Sequence, residues 1–230
     1  MKEVLQSSMF FGTALTLICF EAAVFIRRKF NYAILNPFLI AMLLIVGVLL
    51  LLGIDYDSYF ESAQHLGFFA TPATVCLAVP LYHKIGVLKK NLLAIIGGIS
   101  AGVFANILAI SSMCLLFGLG HTDYVSLLPK SITTPIGVAL SGEYGGIPPM
   151  TVLAIMFSGI TGNMSAELMI RLAHIKHPVS RGLALGTCSH GIGTAKAMEL
   201  GETEGAMSGL SIAITGVLTV IIAPFFTNLI

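Results

Sequence analysis

Apolar positions in this chain fall into long runs separated by short polar stretches. A membrane-spanning helix needs about 20 apolar residues, and residues 8–26, 35–53, 91–119, 150–170 and 205–228 supply such runs. Two further segments are shorter or interrupted: 66–82, which contains GFFATPATVCLAVPLY, and 128–142, LPKSITTPIGVALSG. A third, 180–196, is polar and rich in glycine although its surroundings are apolar. The pattern predicts an all-α integral membrane protein, one membrane domain over 1–230. It has seven or eight transmembrane or re-entrant segments, several of them broken.

A faint internal echo runs through the pattern. ATPATVCLA from Ala70 resembles TTPIGVALS from Thr133, and LLAIIGGISAG (92–102) resembles VLAIMFSGITG (152–162). Duplicated halves with interrupted helices are a common layout of secondary transporters, with the binding site between them.

Composition agrees with this reading. Hydrophobic residues make up 56% and charged residues 10%, with a mean hydropathy of +0.94, where a soluble domain carries about a quarter charged residues. A formal charge of +1 and the lack of a basic run or an aromatic RNA-binding pattern point away from nucleic acid and leave the lipid bilayer as the surroundings. Cys19, Cys76, Cys114 and Cys188 form no C-x-x-C pair and read as soft packing residues, so neither a disulfide framework nor a metal site is expected.

The few charges set the orientation. Lys2 precedes the first apolar run and Arg27-Arg28-Lys29 follows it directly, without a small-residue cleavage site; an uncleaved first span is expected. Lys84, Lys89 and Lys90 follow 66–82, and Arg171, Lys176 and Arg181 follow 150–170. Lys and Arg favour the cytoplasmic side. The stretches 27–34, 83–90 and 171–181 are therefore expected in the cytoplasm and the N-terminus outside. If 91–119 crosses once, either 128–147 dips in and returns outward or the charge rule fails at one loop.

The Thr-Pro pairs carry candidate chemistry. Threonine is a good helix cap and proline suits the first helical position, so Thr71-Pro72 and Thr134-Pro135 each read as a helix start inside an apolar segment. Free N–H groups and the helix dipole there favour an anion. A single pair fits a proline kink as well. Two echoing pairs with Ser131, Thr133 and Thr74 alongside favour the helix starts. In SRGLALGTCSHGIGTAKAMELGETEGAMSGL (180–210), Thr187, Ser189, His190, Gly191 and Thr194 add exposed backbone, hydroxyls and an imidazole. His190 fits a structural hydrogen bond, a ligand contact or a proton relay. His174 and His177 stand among Arg171 and Lys176 and read as a solvated loop. Glu167 and Arg171 stand at i,i+4 and should pair. Glu21, an acid in a span, either pairs with Arg27 and Arg28 or carries protons. Gly98-x-x-x-Gly102 and Gly205-x-x-x-Gly209 read as close helix packing. No nucleophile–base pair, phosphate loop or haem motif points to an enzyme, and no cofactor is called for.

Several stretches together resemble the LrgB (CidB/LrgB) family: LNPFLIAMLLIV, GIDYDSYF, ATPATVCLAVPLY, LLPKSITTPIGVALS, GGIPPMTVLAIMFSGITGN and RGLALGTCSHGIGTAKAMELGETEGAMSGL. The likeness covers about residues 34–224. One departure is Cys188, where the family's pattern has alanine. The resemblance implies two functions. Some members are antiholin-like modulators of murein hydrolase activity and autolysis, acting with a small holin-like partner, LrgA. Others look like carriers of small monocarboxylates, taking up pyruvate or exchanging glycolate and glycerate; lactate belongs to the same class. No LrgA-like portion is visible, so a separate LrgA-like partner is expected, together with a homo-oligomer in the cell membrane. The residues themselves favour the carrier. Polar breaks at membrane depth serve a ligand, whereas a regulator needs only surfaces.

Overall fold

The computed structural model describes Ser8 and residues 10–30, 36–76 and 78–230, and leaves the side chains of Ala70, Thr71 and Thr74 outside the description. The described residues are helical throughout, without a strand. They divide into two compact units, Met1–Cys76 and Leu77–Ile230.

The first unit holds α1 (Phe11–Phe30), α2 (Pro37–Leu52), α3 (Tyr56–Ala63), a 3₁₀ turn (Gln64–Phe69) and α4 (Ala70–Cys76). Asn36 starts α2 by accepting from Phe38 N at 2.8 Å, and Gly53 ends it at φ 61°. A polar seam ties α1 to α3: Gly12 N donates to Ser62 Oγ at 2.8 Å and Thr16 Oγ1 meets Tyr59 Oη at 2.7 Å. Arg27, Arg28 and Lys29, expected in a loop, form the last turn of α1, where cations suit the helix dipole. The segment 66–82 is broken as expected. However, its helix begins at Ala70, so Thr71 and Pro72 lie within the first turn and Thr71 is not the cap.

The second unit holds α5 (Ala78–His83), α6 (Ile85–Lys90), α7 (Leu92–Phe117), α8 (His121–Leu127), α9 (Thr134–Glu143), α10 (Pro148–Leu172), α11 (Pro178–Leu200) and α12 (Glu202–Ile222), with 3₁₀ turns at Ala223–Phe225 and Thr227–Leu229. Among the described residues three helical stretches are long and apolar enough to cross a membrane: Leu92–Phe117, Pro148–Leu172 and Glu202–Leu229. The expected basic loop at 83–90 is mostly the short helix α6, and only 173–177 separates α10 from α11. Helix α7 buries Ile95, Ile99, Val103, Ile107, Ile110 and Cys114, a stripe at three- and four-residue spacing. Its other face exposes Leu93 (90%) and Leu116 (79%), apolar surface that a bilayer covers.

Two hairpins lie within this frame. The first joins α8 to α9. His121 Nε2 meets the carbonyl of Tyr144 at 3.3 Å, so the two ends lie together. The turn between them reaches Asn106, whose Nδ2 donates to the carbonyl of Leu128 at 3.2 Å. Asn106 lies twelve residues before the Gly118 end of α7, roughly 18 Å along the axis. This segment dips in and returns, one of the two arrangements that the charge pattern left open.

The second hairpin is α11 itself. His190 adopts φ 40°, ψ −134° within it, far from helical. Ala166, Leu185 and Ala197 share one buried cluster. In a straight helix Leu185 and Ala197 would stand roughly 18 Å apart, so the chain must double back between them. The first arm runs beside α7, Leu183 next to Gly98 and Thr187 next to Gly102, and this is the close packing that the Gly98-x-x-x-Gly102 spacing predicts. The returning arm runs beside α10, with Asn163 donating to the carbonyl of Ile192 at 2.9 Å and Lys196 Nζ to Glu167 at 2.8 Å. The polar, glycine-rich segment over 180–196 is thus a re-entrant helical pair.

This topology predicts accessibility. Single cysteines replacing Lys176, Asp123 and Glu143 in a cysteine-free background should react from the cytoplasm for Lys176→Cys and from outside for the other two. Reaction of Glu143→Cys from the cytoplasm would mean that 128–142 crosses.

Candidate functional site

The two hairpin tips enter from opposite ends of the unit and meet midway along α7. Between them lies a cavity of about 540 Å³. Helix α7 contributes Gly102 and Asn106, the α8–α9 turn contributes Lys130 and Ser131, and α11 contributes Thr187 and Cys188, the last two residues of its wall before the break. Among the described residues no acidic side chain lines it.

Each tip is held by side chains from neighbouring helices. Lys130 Nζ donates to Ser131 Oγ at 3.2 Å, and Ser131 Oγ donates to Asn106 Oδ1 at 3.1 Å. At the α11 break the freed carbonyls find donors: Ser158 Oγ bonds Cys188 O at 3.3 Å, Thr194 Oγ1 bonds His190 O at 3.1 Å, and Asn163 bonds Ile192 O. Broken helices persist in a bilayer only when such groups are satisfied again. Gly159 and Gly162 of α10 leave the space that His190 and Ser189 fill. His190 Nε2 donates to the carbonyl of Ile155 at 3.0 Å, which fixes the ring. A non-glycine residue at this φ/ψ is strained, and these contacts hold it there.

The structure sorts the residues singled out by sequence. Ser131 and Thr187 line the cavity. Thr187 is 9% exposed and its hydroxyl has no partner among the described residues. Ser189 is fully buried against Gly162, His190 is bound to Ile155, Gly191 is exposed, and Thr194 bonds Ser208 Oγ at 2.7 Å. The helix expected near Thr134 begins there, but its cap is Thr133, without a side-chain cap bond, so Thr134 and Pro135 occupy the first turn. Thr71 and Pro72 belong to the other unit.

Sequence reasoning passed over Lys130, Asn106, Ser158 and Asn163. Asparagine inside an apolar span was the available signal, since amides there usually bond across helices. It also passed over Lys196, which is 9% exposed at its side chain and lies between Glu167 at 2.8 Å and Glu199 at 3.1 Å. Glu167 also meets Arg171 at 3.7 Å, the i,i+4 pair expected. Cys19 and Cys114 are buried packing residues, while Cys76 and Cys188 are exposed.

The fold and the paired tips define an all-helical, multi-pass protein of the cell membrane. The chain belongs to the LrgB-like family, whose profile matches residues 16–229 and so runs through both units. It is 34% identical over 224 residues, 97% of each chain, to Holin-like protein CidB of Staphylococcus epidermidis, equally in strains RP62A and ATCC 12228. No solved structure matches it.

Proposed function

We propose that this chain is a secondary transporter of small monocarboxylates, of the pyruvate, lactate, glycolate and glycerate class. The observation that carries the reading is the meeting of two re-entrant tips at one cavity. Irregular backbone at membrane depth is tolerated where it is buried in protein or lines a water-filled cavity, and transporters place their sites at such broken helices. The cavity falls within the roughly 300–1,000 Å³ usual for small-molecule sites. A lining with an ammonium and, among the described residues, no carboxylate suits an anion. The carrier works with a small LrgA-like membrane partner and as a homo-oligomer. It acts through binding and movement, without catalysis.

In this reading Thr187 and Ser131 face the solute. Thr133, Thr134, Pro135, Ser189, His190, Gly191 and Thr194 shape the two tips. The second reading, an antiholin-like modulator of murein hydrolase activity, is favoured by the holin-like name of the relatives. Under it no solute moves.

Uptake of labelled pyruvate, glycolate and lactate into proteoliposomes, with and without the LrgA-like partner, tests the reading. Saturable uptake is expected. No uptake in either preparation, with partner and chain both inserted, would leave the modulator. His190→Gln addresses the imidazole separately. Because its Nε2 serves the carbonyl of Ile155, an unchanged pH profile of uptake is expected at matched protein levels. A profile that flattens between about pH 5 and 8 would make His190 a proton carrier.

A further inference from the structure

Lys130 differs from the other partly buried cations of its unit. Lys196 pairs with Glu167 and Glu199, Arg181 with Glu204 at 3.9 Å, and Lys84 with Glu202 at 3.0 Å. Lys130 is half-buried at a hairpin tip and bonds Ser131, and no carboxylate pairs with it among the described residues. An ammonium withdrawn from water without a counter-charge is unfavourable. Its fixed support makes the placement more telling: Ser131, Asn106 and the carbonyl of Leu128 form one hydrogen-bonded chain behind it. The tip therefore holds a positive charge at a cavity wall that carries no acid among the described residues. Thr187, which lines the same cavity, has a buried hydroxyl without a partner among the described residues.

We propose that Lys130 binds the substrate carboxylate and that this single ammonium makes the cavity selective for monoanions, with Thr187 meeting the oxygen on the neighbouring carbon. The proposal rests on the carrier reading and names its recognition groups. One carboxylate supplies the counter-charge that Lys130 lacks. A second carboxylate on the same solute would be desolvated with no cation to meet it. A 2-oxo or 2-hydroxy group gives Thr187 a partner, so pyruvate and lactate should bind better than propionate.

Cys188 supplies a native reporter, because it is exposed and lies on the same cavity wall. In a variant that keeps only this cysteine, maleimide labelling in membrane vesicles measures occupancy without any transport. Pyruvate and lactate should slow labelling severalfold, and succinate should not at equal concentration. Hydrogen bonds to charged groups contribute enough that Lys130→Gln should raise the half-protecting pyruvate concentration at least about tenfold, whereas Lys130→Arg retains most protection. Thr187→Val should raise it for pyruvate by about fivefold and leave propionate unchanged. Competition of succinate against labelled pyruvate uptake reads the same charge selectivity in the unaltered protein, whether or not Lys130→Gln accumulates. Undiminished protection in Lys130→Gln, or succinate competing as well as lactate, overturns the proposal while saturable uptake keeps the carrier. Absence of both uptake and protection removes the carrier reading and the proposal with it.

Discussion

Gly193→Val is expected to prevent α11 from doubling back. A Cβ at this position would meet the backbone carbonyl of Leu185 and, at 2.6 Å, the Cβ of Ser189. Both belong to the opposite arm of the hairpin, and neither is the free end of a flexible side chain. Overpacking typically costs about 1–3 kcal/mol, and more where backbone must move. In a chain of this size each kcal/mol shifts the melting temperature by about 2–4 °C. A fall of roughly 6–12 °C in detergent is expected at about 3 kcal/mol, or failure to accumulate. Gly191, two residues away, supplies the control. Nothing lies within 4 Å of a Cβ built there, so Gly191→Ala should leave stability nearly unchanged. A continuous helix would make the two positions behave alike. Equal melting temperatures for the two variants would therefore remove the hairpin.

The long spans were legible because length and apolarity alone define them: α7, α10 and the stretch from Glu202 follow the expected 91–119, 150–170 and 205–228 closely. The dip of the α8–α9 segment was only half legible: the Thr-Pro signal marked the helix start near Thr134, but charge balance allowed a failure of the charge rule at one loop as well as a dip. The reversal inside α11 was not legible. Residues 180–200 contain nothing that forbids a continuous helix, and the turn at His190 depends on Ile155, Gly159, Gly162 and Asn163 of α10, some 30 residues upstream. Local sequence showed that the stretch was irregular and polar, but not which way it ran. Lys130 was obscured for a related reason. Beside Pro129 in a short segment it resembles a loop lysine, and only the depth of the tip against Asn106 sets it at a cavity wall. Likewise the hydroxyls of Ser189 and Thr194 suggested a binding loop, yet hairpin closure turns them into packing against Gly162 and Ser208.

Reversal of charge at Lys196 should have the largest electrostatic effect in the chain. Its ammonium lies 2.8 Å from Glu167 of α10 and 3.1 Å from Glu199 of its own arm, with the side chain 9% exposed. It fastens the returning arm of α11 to α10. Both carboxylates are 48% exposed, so they can hydrate when the lysine is lost. Lys196→Met should then cost about 1–2 kcal/mol, below the roughly 3–5 kcal/mol typical of breaking a fully buried pair. Arg171, 3.7 Å from Glu167, softens the loss further. Lys196→Glu adds a third carboxylate at the buried position, where little solvent reaches it, and should cost more than about 3 kcal/mol. Adding Glu167→Lys to Lys196→Glu restores one opposite pair across α10 and α11. Groups in direct contact couple by about 0.5–3 kcal/mol, so the double variant should recover at least about 1 kcal/mol relative to additivity. Melting in detergent for the four members of this cycle measures the coupling directly. Strict additivity would show that the returning arm is held by its hydrogen bonds and apolar contacts alone. A positive coupling, accompanied by faster maleimide reaction of Cys188 in Lys196→Met, would show that the ion pair at the base of the hairpin steadies the tip at the cavity.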